Sequence, residues 1–153
     1  MFATELEQRA EIEQAAVRIL SQSEQTVRQM RIKLLKKGFD AEEIDVVLQD
    51  LQRQNLLSDE RFAGQYVAFR INRGFGPVRI EQEMREKGVA DDLAEQVLDE
   101  YAGQWPDVMA KVLHKKFGNA PVLNFAERAR RARFLEYRGF PASLIRQQLF
   151  NDD

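Results

Sequence analysis

The sequence predicts an all-α fold, built as a tandem array of three three-helix modules. A short pattern occurs three times. In each copy a large apolar residue stands four positions before a glycine, a lysine or arginine directly before it, and an apolar residue directly after it. The glycines are Gly38, Gly88 and Gly139, which lie 50 and 51 residues apart. Self-similarity at a fixed period indicates one supersecondary unit used repeatedly. The surrounding segments have helical periodicity, and none alternates as a strand does.

The composition is typical of a folded helical chain, with 44% hydrophobic and 31% charged residues. Cysteine is absent, which excludes a disulfide framework and thiol chemistry. Residues 1–20 are acidic and lack the basic start and apolar core of a signal peptide, and no apolar run reaches the ~18 residues of a membrane span. These features predict a bacterial-type cytoplasmic protein with no membrane segment.

The N-terminal module is expected to span residues 1–57. Its first helix runs over about 4–20, with Thr4 as the N-cap. Ser23 is predicted to cap the second helix, over about 24–37, which ends at Gly38 because glycine accepts positive φ. Asp40 begins a D-x-x-E capping box for the third helix, which extends to about residue 53.

The central module is expected to span residues 58–104. Ser58 opens its first helix, and the Gly-Phe-Gly segment at 74–76 ends that helix. Pro77 fits the first turn of the next helix, since its missing N–H is not needed there. That helix ends at Gly88, and a short third helix follows over about 91–101.

The C-terminal module is expected to span residues 105–153. Trp105 opens its first helix, whose inward residues are predicted to be Val108, Val112 and Phe117. The second helix is predicted over about 122–138 as the longest of the chain, closed by Gly139. The third runs over about 142–150.

The net charge of −2 hides an asymmetry along the chain. Residues 1–60 carry 8 basic and 12 acidic side chains, whereas residues 109–148 carry 9 basic and 2 acidic ones. Such a split indicates that the C-terminal third meets an anionic partner.

The sequence offers few residues that could serve in catalysis or bind a cofactor. The single histidine, His114, does not make a metal site, and there is no phosphate-binding loop of the G-x-x-x-x-G-K-[ST] type. The Gly-x-Gly at 74–76 lacks the preceding strand that a dinucleotide site requires. We therefore expect no enzyme, no metal and no cofactor.

A first set of cations brackets the turn at 74–77. It consists of Arg61, Arg70, Arg73 and Arg79. One interpretation is structural, because arginines complement the C-terminal dipole of a helix. The other is an edge that binds an anion or a partner, because arginine offers planar, forked contacts. Phe75, between two glycines, is expected to pack against the neighbouring module.

A second set of cations lies in the C-terminal module. It consists of Lys111, Lys115, Lys116, Arg128, Arg130, Arg131, Arg133 and Arg138. Residues 128, 131 and 138 are predicted to form one helical stripe, with Phe125 and Leu135 on the opposite side. A solvated face is one interpretation, and a phosphate-facing surface is the other, since few acids compensate this charge.

Three stretches of the sequence form longer motifs: Leu57-Ser58-Asp59-Glu60-Arg61-Phe62-Ala63, then Arg70-x-x-Arg73-Gly74-Phe75-Gly76-Pro77-x-Arg79-Ile80-x-Gln82-Glu83-Met84-x-x-Lys87-Gly88-Val89, and then Arg133-Phe134-Leu135-x-x-Arg138-Gly139-Phe140. In these motifs the chain resembles the RecX family of recombination regulators. The resemblance spans roughly residues 15–150.

The resemblance implies a monomeric tandem array of three-helix modules that binds the RecA recombinase. Members of the family lie along the groove of the RecA filament on single- or double-stranded DNA. They suppress strand exchange, ATP hydrolysis and co-protease activity, and they have no catalytic residues to carry over. The net acidity of this chain favours a protein partner with nearby phosphates, so only weak direct DNA contact is expected.

A stand-alone DNA-binding protein with helix-turn-helix-like modules is the alternative. A recognition helix in such a protein presents base-reading side chains near its N-terminus. The helix after Pro77 offers Arg79, Gln82 and Glu83 for that role. Binding to random DNA, measured with and without RecA, distinguishes the two hypotheses.

Overall fold

The structure, a computed structural model, describes residues 4–150. Every regular element in that range is an α-helix. In chain order the helices are α1 (Glu5–Gln22), α2 (Val27–Lys36), α3 (Ala41–Arg53), α4 (Asp59–Asn72), α5 (Pro77–Lys87), α6 (Asp91–Asp99), α7 (Trp105–Phe117), α8 (Phe125–Tyr137) and α9 (Ala142–Leu149). The predicted all-α fold is confirmed, with one helix for each predicted helix.

Thr4 begins α1 as predicted, because it forms a complete capping box. Its Oγ1 accepts a hydrogen bond from the Glu7 N–H at 3.1 Å, and its own N–H donates to Glu7 Oε2 at 3.1 Å. Two of the N–H groups that a helix start leaves unpaired are thereby satisfied. The helix is 18 residues long.

The predicted cap of α2 was wrong by three residues. Ser23 ends α1, where its N–H donates to the Ile19 carbonyl. Thr26 is the N-cap of α2, since its Oγ1 accepts from the Gln29 N–H and its N–H donates to Gln29 Oε1, both at 3.0 Å. The capping box at Thr26 satisfies two donors, which a cap at Ser23 without a matching Glu or Gln does not.

The C-terminal module differs from the prediction in two details. The buried residues of α7 are Trp105 and Met109, whereas the predicted inward residues are only half-buried. Helix α8 begins at Phe125, because Asn124 Oδ1 accepts from the Glu127 N–H at 2.8 Å. With 13 residues it is shorter than α1, so the predicted longest helix was wrong.

The chain divides into two compact units, each with buried apolar residues of its own. Unit 1 comprises residues 1–63 and 86–90, and unit 2 comprises residues 64–85 and 91–153. The core of unit 1 is formed by Ile12, Ala16, Met30, Leu34, Ile44, Val47, Leu48, Leu51 and Leu57. In unit 2 the most deeply buried large side chains are Val67, Ile80, Met84, Met109 and Leu135. The module boundaries at 57 and 104 stay predictions.

Each of the three repeated glycines ends a middle helix at positive φ, as predicted. The φ angles are +92° at Gly38, +103° at Gly88 and +96° at Gly139. Residues with a side chain rarely adopt this conformation. The repeated pattern is therefore a repeated helix end.

In unit 1, Gly88 also makes a close contact with the first turn of α2. A Cβ added at Gly88 would lie 2.7 Å from Arg28 Cβ, closer than such atoms approach. Beside it, the Thr26 hydroxyl donates to the Lys87 carbonyl at 2.6 Å. The end of α5 thus meets the start of α2.

In unit 2, Gly139 makes the equivalent contact with the start of α5. A Cβ added at Gly139 would collide with Arg79 Cβ. Gly76 N–H donates to the Arg138 carbonyl at 2.8 Å, and Val78 N–H donates to the Gly139 carbonyl at 2.9 Å. A Cβ at Gly76 would itself come within 2.6 Å of Gly139. Both glycines are required by this approach of two backbones.

We call these two arrangements the helix-end contacts. In each, the carbonyl before the glycine accepts a hydrogen bond from the residue that precedes the middle helix of the previous module. The negative end of one helix dipole therefore meets the positive end of another. Among the residues that the structure describes, Gly38 has no such partner, and a Cβ there would meet nothing within 4 Å.

Among the helices described, none combines the length and the apolar character needed to cross a bilayer.

Replacement of the three glycines by alanine separates conformational strain from the helix-end contacts. Gly38→Ala should lower the free energy of unfolding by about 1–2 kcal/mol, because only the backbone conformation is penalised. Gly88→Ala and Gly139→Ala should each cost about 1–3 kcal/mol more, because the methyl group collides with the adjoining helix. Urea denaturation of the three variants measures the difference. Equal losses of unfolding free energy in all three would show that the helix-end contacts at Gly88 and Gly139 do not form.

Candidate partner-binding surfaces

Glu83 is the centre of a hydrogen-bonded cluster between α4 and α5. Arg70 Nε and Nη2 donate to its two carboxylate oxygens, each at 2.8 Å, and the Tyr66 hydroxyl donates to Oε1 at 2.9 Å. Arg79 Nε donates to Oε2 at 3.3 Å. A forked arginine–carboxylate pair is among the stronger hydrogen-bonded interactions. We call these four residues the Glu83 cluster.

The pKa values in the Glu83 cluster follow from its hydrogen bonds and burial. Burial acts to raise the pKa of Glu83, but the hydrogen bonds donated by Arg70 and Tyr66 outweigh it, and the pKa lies below its ordinary value. Burial, together with the hydrogen bond to Glu83, raises the pKa of Tyr66 to about 12. The carboxylate is therefore held ionised and the phenol neutral.

Phe75 lies among three guanidinium groups. Those of Arg70, Arg79 and Arg138 are 3.8, 4.4 and 4.8 Å from the centre of its ring. Cations over an aromatic face are stabilised by the ring quadrupole. Arg138 also donates from Nη1 to the Arg73 carbonyl at 3.0 Å, and Arg79 donates from Nη1 to the Tyr137 carbonyl at 3.2 Å. Arg79 and Arg138, both named by the sequence analysis, thus hold the turn to the end of α8.

Arg73 differs from its neighbours in the first set of cations. Its side chain is directed to solvent, with the guanidinium 5.0 Å from the ring of Phe69, which is 51% exposed. Within residues 4–150 it has no carboxylate partner. Arg73 and Phe69 therefore form the exposed part of this edge.

Arg61 stabilises a turn within unit 1. Its Nε donates to Glu24 Oε1 at 2.6 Å, and its two terminal nitrogens donate to the carbonyls of Asn55 and Leu56 at 3.0 and 3.1 Å. Asn55 has positive φ, at 61°. These bonds hold a strained turn before α4, which is a structural role.

The predicted stripe on α8 was wrong in its orientation. Arg131 is only 6% exposed, donating from Nε to Glu127 Oε1 at 3.2 Å and from Nη2 to the Ala120 carbonyl at 2.9 Å. Phe125, expected on the inner side, is 74% exposed, whereas Leu135 is fully buried as predicted. Arg131 therefore fixes the segment before α8.

The remaining arginines of α8 are more accessible. Arg130 is 63% exposed at its side chain, 3.4 Å from Glu127. Arg133 is exposed, and within the described chain it has no side-chain partner. Arg128 is half-buried beside Phe150, and its Nε lacks a hydrogen-bond acceptor in the described structure.

The three lysines of α7 lie on one wall of a groove in unit 2. Lys111, Lys115 and Lys116 are all exposed. Arg73 and Arg138 line the same groove, whose volume is about 450 Å³. The structure thus brings members of both predicted sets of cations together.

Sequence reasoning missed the role of Glu83 and Tyr66. Arg79 and Glu83 are four residues apart on α5, a spacing that signals a helical ion pair. The link from Arg70 to Glu83 spans two helices and has no local signal. His114 is exposed and is not a member of the Glu83 cluster. Among residues 4–150, no three carboxylates, histidines or cysteines lie close enough to hold a metal ion.

The fold and these surfaces define a tandem helical-repeat protein, a class whose members present extended binding surfaces. Family models of RecX match each module: the first three-helix domain matches residues 14–51, the second matches 58–98 and the third matches 107–149. The chain belongs to the RecX family.

Named relatives cover most of the chain. The regulatory protein RecX of Halorhodospira halophila is 38% identical over 135 residues, covering 88% of this chain and 84% of that protein. The one from Legionella pneumophila strain Corby is 34% identical over 131 residues, covering 86% and 87%. The crystal structure of RecX from Lactobacillus salivarius matches with a TM-score of 0.78 over 93% of this chain and 96% of that chain. Its 21% identity supports the fold alone.

Glu83→Gln tests whether the Glu83 cluster supports the fold of unit 2. The change should lower the free energy of unfolding by about 2 kcal/mol, because a charged acceptor of several hydrogen bonds is removed. Because the folded pKa of Glu83 is depressed, its contribution is present above the ordinary pKa of about 4.3 and disappears as the pH falls further. Denaturation between pH 3 and 7 should therefore show a weaker acid dependence in the variant.

Glu95→Gln is the matched control for this experiment. Glu95 is an exposed carboxylate of α6 in the same unit, and its replacement should change stability by less than about 0.5 kcal/mol. Equal effects of the two changes would show that the Glu83 cluster adds no stability.

Proposed function

We propose that the protein binds the RecA recombinase filament on DNA and inhibits its ATPase, strand-exchange and co-protease activities. The observation that carries the proposal is the match of RecX family models to all three modules. The relatives that cover most of the chain are named regulatory proteins, which supports a regulatory role. The protein acts in the cytoplasm as a monomer, without a cofactor or catalysis of its own.

Three modules in one chain support binding to a repeating partner. Each module supplies a small surface, and weak contacts made by linked modules add through effective concentration. A filament presents the same protomer surface many times, so one chain can contact several protomers. Inhibition is therefore expected at less than one copy per RecA.

The proposed protein-facing contact consists of Arg73 and Phe69. Of the four arginines around the turn, Arg73 is the one with an exposed guanidinium and no carboxylate partner in the described residues. It can pair with acidic side chains of the recombinase. Arg61, Arg70 and Arg79 act indirectly, since their hydrogen bonds hold the surrounding structure.

The proposed phosphate-facing contact consists of Arg130 and Arg133. Both are exposed on α8, in the region where basic residues outnumber acidic ones. Replacing buried Arg131 would disturb the fold, so the exposed pair is the better probe of charge.

Sequence-specific DNA binding receives less support from the structure. Of the three residues expected to read bases, Arg79 and Glu83 are bonded to each other within the Glu83 cluster. Only Gln82 is exposed among them. A recognition helix needs several free side chains near its start.

The purified protein should inhibit RecA-driven ATP hydrolysis and strand exchange at less than one copy per RecA. Because binding to phosphates releases counterions, filament binding should weaken as salt rises. Arg130→Ala/Arg133→Ala should bind more weakly and lower the salt slope by roughly 0.7–0.9 for each phosphate that is no longer bound. Steady-state ATPase assays and a salt titration of filament binding measure these effects.

Lys33→Ala/Lys36→Ala is the control variant. It removes two exposed cations of α2 and should leave the salt slope unchanged. An unaltered salt slope in the arginine variant would show that Arg130 and Arg133 do not contact phosphates. A parent protein that leaves RecA active but binds one DNA sequence tightly would favour the helix-turn-helix alternative.

A further inference from the structure

The groove in unit 2 combines an apolar floor with a cationic rim. It lies between the C-terminal end of α4, the turn at Gly74, and helices α7 and α8. Its floor is formed by Ile71, Val108, Val112 and Phe134, and its volume is about 450 Å³. That volume is within the range of small-ligand pockets and accommodates a few large side chains.

The charge around the groove has one sign. The cations on its rim are Arg73, Lys111, Lys115, Lys116 and Arg138. No carboxylate belongs to the part of its lining that the structure describes. Cations concentrated around an apolar cleft raise the local concentration of anionic ligands.

Gly74 keeps the groove open on one side. Its φ is +87°, and a Cβ there would lie 3.1 Å from Val112 Cγ2 and 3.3 Å from Arg138 Nη1. A side chain at this position would therefore crowd the floor and one cation of the rim. The absence of a side chain at Gly74 therefore leaves space beside Val112 in the groove.

The floor is poorly suited to a nucleic-acid base. Three of its four side chains are aliphatic, so they offer no hydrogen bonds to base edges and no stacking surface. The one aromatic ring, that of Phe134, is already contacted. Phe117 meets it edge-on at 5.5 Å, and the cations of Lys116 and Arg138 lie 5.7 and 5.2 Å from its centre.

An acidic peptide matches both features of the groove. An aliphatic or aromatic side chain can fill the floor, and flanking carboxylates can pair with the lysines of α7 and with Arg73. We propose that this groove binds an acidic polypeptide segment through one apolar anchor residue and its neighbouring carboxylates. The proposal goes beyond recombinase inhibition, because it concerns peptide chemistry and is tested without a recombinase.

The test uses fluorescein-labelled 12-residue peptides and the full-length protein. One peptide carries a central leucine flanked by glutamates. A second replaces the leucine by serine, and a third replaces the glutamates by glutamine. Fluorescence anisotropy should show that the first peptide binds at least about tenfold more tightly than either of the others. The serine peptide loses the burial of one leucine, which is worth at least about a factor of ten. The glutamine peptide loses the pairing of its carboxylates with the cations of the rim.

Two groove variants locate the binding. Lys111→Glu/Lys115→Glu should reduce affinity for the leucine–glutamate peptide at least about tenfold, through the reversed rim charge. Val112→Gln should also reduce affinity for the leucine–glutamate peptide, because it places a polar side chain in the floor. This variant should still bind the glutamate peptide more tightly than the glutamine peptide. Lys33→Glu/Lys36→Glu, which reverses two exposed cations of α2, should bind as the parent does. Circular dichroism of all variants checks that the helices are intact.

Several results would overturn the proposal. They are equal binding of the serine peptide, unchanged binding by Lys111→Glu/Lys115→Glu, and an equal loss in the control variant. Displacement of the peptide by a 12-nucleotide single strand of thymidines at equal affinity would assign the groove to nucleic acid instead. If recombinase inhibition persists while no peptide binds, the groove proposal alone fails; the reverse outcome removes the recombinase proposal alone.

Discussion

The close approach of two helix ends, made possible by a glycine, is the constraint on which the rest of the structure depends. At Gly88 and Gly139 the backbone of one middle helix comes so near the start of the preceding one that no Cβ fits. At each of these helix ends, the carbonyl before the glycine has no partner within its own helix and accepts a hydrogen bond from the start of the preceding middle helix. The negative end of one helix dipole thereby lies beside the positive end of the other. The corresponding glycine at position 38 has open space around it in the described structure, so its role there is limited to the backbone conformation.

The helix-end contact in unit 2 also positions several of the arginines around the turn. The turn that presents Gly76 to Gly139 places Phe75 under the guanidinium groups of Arg70, Arg79 and Arg138. Those arginines are held by the fold, and Glu83 fixes two of them further. The cations that stay exposed are Arg73 beside the turn, Arg130 and Arg133 on α8, and the lysines around the groove. Within residues 70–79, the exposed Arg73 therefore lies between two arginines that Glu83 holds.

The sequence predicted the features that depend on local rules. The glycine repeat predicted three helix ends at positive φ, and residues such as Thr4 and Pro77 marked helix starts, since caps and proline act within one turn. It failed where two local signals compete, as at Ser23 and Thr26, because the matching Gln29 decides the cap. It also failed where tertiary contacts decide. Arg131 turns inward to a carbonyl 11 residues away, and Arg70 finds its carboxylate on another helix. The groove was not predictable, because its lining comes from three separate segments of the chain.

Hydrogen exchange at the turn tests the central claim most directly. The N–H groups of Gly76 and Val78 lie before and in the first turn of α5, where such groups have no partner within the helix. The helix-end contact pairs them with the carbonyls of Arg138 and Gly139. NMR-detected exchange should therefore find both amides protected to the same extent as amides in the middle of α5. Exchange at the rate of an unprotected turn would contradict the account, because the two helix ends would then not be joined.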